Sequence, residues 1–139
     1  IYFLLGVVEF IKNISSETVE YYLQKTISCN EKYKEAYLFL GKKMYKLFID
    51  LGADTNNKES MKLAKEAESY FDQVLEIDPK NADAIRRKAE CLYDYNKIDE
   101  ALNLFDYSIQ LFKEQKEQLE KSLQKYSESD QCIQLNKCK

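Results

Sequence analysis

The stretch from Ala67 to Ile77 returns in pattern 34 residues later. Ala67 returns as Ala101, Tyr70 and Phe71 as Leu104 and Phe105, Val74 and Leu75 as Ser108 and Ile109, and Ile77 as Leu111. Apart from Val74 and Ser108, small residues meet small ones and large residues meet large ones. A repeat of this length constrains the fold strongly. Each copy is one supersecondary unit that buries its apolar face only by stacking on a neighbour. A second offset, 48, relates Ala36, Tyr37, Leu40, Gly41, Met44 and Tyr45 to Ala84, Ile85, Lys88, Ala89, Leu92 and Tyr93. The same offset carries Val19, Tyr22, Leu23 and Ile27 onto Ala67, Tyr70, Phe71 and Leu75. Since 48 exceeds 34 by 14, one period with a 14-residue insertion between Met44 and Ala67 accounts for both.

The units are helical. The chain has 3 glycines and 1 proline in 139 residues, too few breakers for a strand-rich fold. Ser16 before Glu17, Asn57 before Glu59 and Asn81 before Asp83 read as N-caps with an acidic first turn. Pro79 ends a hairpin, because the residue before proline avoids the helical region. These signals predict helices over 1–12, 16–29, 32–51, 57–77, 82–95 and from 98 onward. The insertion lengthens both arms of the middle hairpin by about two turns, with Gly52 to Asn57 as its turn. Leu47, Phe48 and Leu51 are then expected against Met61 and Ala64, on a hairpin that protrudes.

The last helix carries a stripe. Phe105, Ile109, Phe112, Lys116, Leu119, Leu123 and Tyr126 alternate steps of 4 and 3, a heptad-like pattern with one polar member. It either caps the end of the array or offers Leu119, Leu123 and Tyr126 as a coiled-coil seam to a partner. The helix is expected to end near Tyr126, leaving 127–139 as a polar tail.

These residues resemble the tetratricopeptide repeat family, whose pattern is a large residue, Leu-Gly, an aromatic, then Ala-x3-Phe and Pro. Tyr37, Leu40, Gly41 and Met44 open the middle repeat, and Ala67, Phe71 and Pro79 close it. Ile85, Ala89, Leu92, Ala101 and Phe105 form the third, and Leu5, Gly6, Val19 and Leu23 a fainter first. Lys88 stands where Leu is usual, and Glu31 and Lys113 where Pro is. The resemblance covers roughly 1–112 and is clearest over 64–112. It implies an all-α fold: a right-handed α-α superhelix of about three hairpins (1–29, 32–77, 82–112) and an extended C-terminal helix, one domain over 1–126.

Nothing in the chain assembles a catalytic site. With no histidine there is no imidazole base, and the three glycines are isolated, so no loop cradles phosphate. The cysteines at 29, 91, 132 and 138 form no CxxC pair, so zinc spacings are absent and no metal or other cofactor is expected. Free thiols and an intracellular, reducing compartment, the cytoplasm above all, fit this usage. A net charge of −3 argues against nucleic acid as the main ligand. The apolar run Ile1–Val8 is broken by Glu9 and Lys12 well short of a membrane span. A chain that starts at Ile1 is expected to be a fragment of a larger protein.

The resemblance also implies where a partner binds, since the first helix of each hairpin lines the concave face in this family. The positions are Leu38, Lys42 and Tyr45, then Arg86, Glu90 and Tyr93, with Phe3, Val7 and Phe10 as an apolar N-terminal end or as a surface for upstream sequence. Such a groove suits an amphipathic helix or an extended segment with an apolar anchor and an acidic flank. Family members that clamp a C-terminal carboxylate use Lys and Asn at groove positions. Those positions here hold Leu38, Phe39, Lys42 and Glu90, which speaks against that clamp. The expectation is a non-enzymatic interaction scaffold inside a multi-subunit assembly. The alternative is a peptide-receptor adaptor of the co-chaperone or import-receptor type.

Overall fold

The computed structural model describes residues 1–13 and 16–137. Its described residues form six helices and no strand: α1 (Tyr2–Lys12), α2 (Glu17–Cys29), α3 (Lys34–Asp50), α4 (Lys58–Ile77), α5 (Ala82–Asp94) and α6 (Ile98–Lys137). They pair as three antiparallel hairpins, α1 with α2, α3 with α4 and α5 with α6. Each second helix touches the first helix of the next hairpin, and α1, α3 and α5 contact one another in succession. The expected all-α solenoid is the observed one. Cys138 lies outside the described residues.

The helix starts are capped as the sequence indicates. Ser16 accepts from the Thr18 amide, Asn57 from Glu59 and Ser60, and Asn81 from Ala84, each satisfying amides that the first turn leaves orphaned. Two helix ends use left-handed residues. At the end of α5, Asn96 has φ 62° and the Lys97 amide reaches back to the Leu92 carbonyl. At the end of α3, Gly52 (φ 84°) is followed by Ala53 (φ 51°), where a side chain is strained.

Three apolar clusters run along the array, the first two at the steps between hairpins and the third within the last hairpin. The first joins Val19, Leu23, Ala36 and Leu40. The second joins Met44, Ala67, Phe71 and Cys91. The third joins Ala82, Ile85 and Leu111. Gly41 and Phe71 explain the Leu-Gly and Ala-x3-Phe spacing. A Cβ on Gly41 would lie 2.5 Å from Phe71 Cε1, so the ring occupies the space the missing side chain leaves. Lys88 replaces the usual Leu because it bridges hairpins, its Nζ 2.6 Å from Asp72 Oδ1 on α4. Lys43 is almost wholly buried and reaches back to Glu20 on α2 at 3.3 Å.

The insertion lengthens α3 to 17 residues and α4 to 20, against 13 each for α2 and α5. Phe48 and Ala64 are buried there and Leu47 is half-buried, but Leu51 is exposed, because α3 ends at Asp50 before that position turns inward. The last helix departs further from expectation. It runs unbroken through Tyr126 to Lys137, 40 residues in all. Residues 101, 104, 105, 108 and 111 face the array and close its end. Every described residue from Phe112 onward is exposed, so only the Phe105 end of the stripe packs on the array.

Candidate partner-binding groove

The side of the array built by α1, α3 and α5 carries a cleft of about 440 Å³. From α1 comes Phe10, from α5 Arg87, and from α3 Phe39, Lys42, Tyr45, Lys46 and Ile49. The α3 residues fall at steps of three and four, one face of the helix. The insertion extends this face, because Ile49 lies on the added length of α3.

Aromatic rings form the upstream wall. Phe39 sits edge-on between Phe3 (5.7 Å between centroids) and Phe10 (5.1 Å), and Phe3 also meets Tyr33 at 5.0 Å. Phe3 and Phe10 therefore pack into the array on α3. The face of α1 left open is another one, bearing Leu4, Leu5, Val8 and Ile11. Val7 is half-buried on the same helix. The Lys42 ammonium lies 5.4 Å from the centre of the Phe39 ring.

A charge network forms the downstream wall. Asp83, in the first turn of α5, pairs with Lys42 across the hairpin boundary at 2.9 Å and with Arg86 at 2.8 Å. Arg86 and Arg87 share Glu90, at 2.7 and 3.1 Å, and Arg87 Nε approaches Asp83 at 3.7 Å. Burial pulls the Asp83 carboxyl up, but Lys42 and Arg86 outweigh it and hold the group below the usual range. Tyr45 donates its hydroxyl to Asp94 at 2.8 Å. Burial first, then that bond, pushes the phenol above its ordinary value, so it stays a neutral donor. Lys46 is paired with Asp50 at 2.6 Å.

Of the residues expected in the groove, Phe10, Lys42 and Tyr45 line the cleft. Arg86 and Glu90 border it through Arg87. Leu38 lies instead against the Met44, Ala67, Phe71 and Cys91 cluster, and Tyr93 is exposed. Sequence reasoning named Phe39 only as a clamp position and missed Lys46, Ile49 and Arg87. Stepping by three, four and seven from Lys42 along the helix would have found the α3 residues. Arg87 was hidden by its neighbour Arg86, which the repeat register selects. At the other end of the stripe helix, Leu119, Leu123 and Tyr126 are exposed and lie away from the cleft.

Among the described residues no cluster of metal-binding side chains occurs, and no helix is long and apolar enough to cross a membrane. Cys29, Cys91 and Cys132 are free thiols. The Cys91 thiol is pushed up to about 12 by burial, which keeps it protonated.

A family model described as Tetratricopeptide repeat matches residues 61–107, which span α4, α5 and the start of α6. Comparison with curated protein sequences finds no match. Among solved structures, the fold is similar to the crystal structure of MamA, with a TM-score of 0.64 and 20% sequence identity. The alignment covers 84% of this chain and 59% of MamA, so the chain spans about three fifths of that protein's length. The repeat match over 61–107 and the hairpin stack agree: the chain folds as an all-helical repeat array of the tetratricopeptide type.

Proposed function

We propose that the chain is a non-enzymatic interaction scaffold whose α1–α3–α5 face binds a segment of a partner protein in a larger assembly. The observation that carries this reading is the cleft that joins the Phe10–Phe39 aromatic wall to the Asp83–Glu90 charge network. An aromatic wall takes an apolar anchor by removing its surface from water. The polar wall then fixes register through the backbone and side chains that flank the anchor. An amphipathic helix or an extended segment fits this combination. A ligand read by its free carboxylate, as an adaptor would read it, is less favoured. Lys42, Lys46 and Arg87 already hold Asp83, Asp50 and Glu90. The three free thiols support placing the protein in a reducing, intracellular compartment.

The test is a selection of linear peptides displayed against the 139-residue chain, repeated with the variant Phe39→Glu, Tyr45→Ala, Arg87→Ala. Peptides with a large apolar anchor that bind the parent and not the variant are expected. Binders that ignore the three substitutions, or a selection that yields none, would contradict the groove assignment.

A further inference from the structure

The α6 overhang bears a second exposed apolar surface, far from the cleft and independent of it. Ile109, Phe112, Leu119, Leu123 and Tyr126 continue in step to Ile133, and these side chains are 42 to 73% exposed. Ile109 to Ile133 covers about 36 Å of helix at 1.5 Å per residue. A helix of this length with one open apolar stripe is stabilised by another helix laid along it.

The two polar members of the stripe decide which helix. Lys116 and Asp130 stand on the stripe between the apolar positions. A parallel copy would set Lys116 on Lys116 and Asp130 on Asp130, like charges inside the seam. An antiparallel copy avoids both. With the two-fold axis beside Lys121, Leu119 packs on Leu123 of the second copy and Ile109 on Ile133. The Lys116 stem then lies on the Tyr126 ring of the second copy. Asp130 falls beside Phe112 and Lys113, so its carboxylate meets an ammonium. Glu120 approaches its own counterpart near the axis, but Lys116 of the same helix neutralises it, Nζ to Oε1 3.7 Å. The overhang carries as many Lys as Asp and Glu from Lys113 to Lys137, so two copies do not repel. We propose that the chain self-associates through an antiparallel pairing of α6 overhangs, leaving two grooves at opposite ends of an isologous dimer.

Light scattering on the full 139-residue chain tests this. At about 100 µM, far above a micromolar dissociation constant, a mass of twice 16.4 kDa is expected. Leu119→Glu with Leu123→Glu should return the single mass and shift the dissociation constant by more than about a hundredfold. At concentrations well below the dissociation constant, where the parent is also monomeric, it should leave the thermal midpoint of the array in place. Orientation is read separately. In a background of Cys29→Ser, Cys132→Ser and Cys138→Ser, the substitution Ser122→Cys places two thiols near the axis only when the helices are antiparallel. Disulfide-linked dimer under mild oxidation supports the proposal. A single mass in the parent, a dimer that survives both glutamates, or a dimer that Ser122→Cys fails to cross-link overturns it.

Discussion

Gly41→Ala tests the packing argument of the repeat. In an exposed helix the change stabilises by about 1 kcal/mol, because alanine is the better helix former. At this position the new methyl would sit 2.5 Å from Phe71 Cε1 and 2.9 Å from Cδ1 and Cζ. Ordinary carbon contacts are about 3.5–4.0 Å, so the ring has to move by roughly 1 Å. Phe71 is fully buried, and protein interiors are close-packed, so the ring can move only by displacing its neighbours. Overpacking of this kind costs about 1–3 kcal/mol, and the upper end applies to an immobile ring. The net loss is about 2 kcal/mol after the propensity gain. For a chain of this size that lowers the midpoint by about 4–8 °C. Circular dichroism at the helical minimum reads it in a thermal or urea melt. The partner substitution supplies the control. Phe71→Leu alone leaves a cavity, but in the double variant each change relieves the other, so a coupling of about 1 kcal/mol or more is expected. Gly6→Ala should cost much less, since its nearest neighbour at 2.9 Å is the flexible tip of Leu23. A Gly41→Ala protein that melts higher than the parent, or losses that add in the double variant, would refute the reasoning.

Ala53→Gly should raise stability by about 0.5–1 kcal/mol in the same melt, because φ 51° strains a side chain and suits glycine. Ser60 Oγ is buried with no hydrogen-bond partner among the described residues, so Ser60→Ala should stabilise by about 1 kcal/mol. Acid should loosen the hairpin boundaries. The Asp78 carboxyl is lowered from 3.8 chiefly by its hydrogen bond from Lys34, so its stabilisation is present above the unfolded value and lost as pH falls below it. Asp83 behaves in the same way, and a pH series of melts should fall from about pH 4 downward. Lys34→Met should flatten the Asp78 part of that fall. Timed alkylation with mass readout should label Cys29 and Cys132 quickly and Cys91 only on unfolding.

The repeat was legible because its information is local and periodic. The caps at Ser16, Asn57 and Asn81, the break at Pro79 and the small residue paired with Phe71 each needed only spacing and residue type. The end of α6 was not legible. Ser127, Ser129 and Asp130 read as a frayed tail, yet good helix formers before them and Ile133 and Leu135 after them carry the helix through. The groove was half legible for a geometric reason. Lys42 and Tyr45 follow from the repeat register. Whether Leu38 or Phe39 faces the cleft is a rotation of one residue, set by how α1 rests its two phenylalanines on α3. A faint first repeat does not specify that contact. Lys88 shows the reverse case: a departure from the family pattern in sequence becomes an ordinary inter-hairpin ion pair once Asp72 stands opposite it.

The most direct test of the groove as the recognition surface is a calorimetric titration of a selected peptide into three proteins. These are the parent, the Phe39→Glu, Tyr45→Ala, Arg87→Ala variant, and a control changed on the outer face of α2, Tyr21→Ala with Lys25→Ala. The account predicts that the groove variant binds at least about a hundredfold more weakly, a loss near 3 kcal/mol, while the control matches the parent. Equal affinity for the parent and the groove variant, or a loss confined to the α2 control, would contradict it.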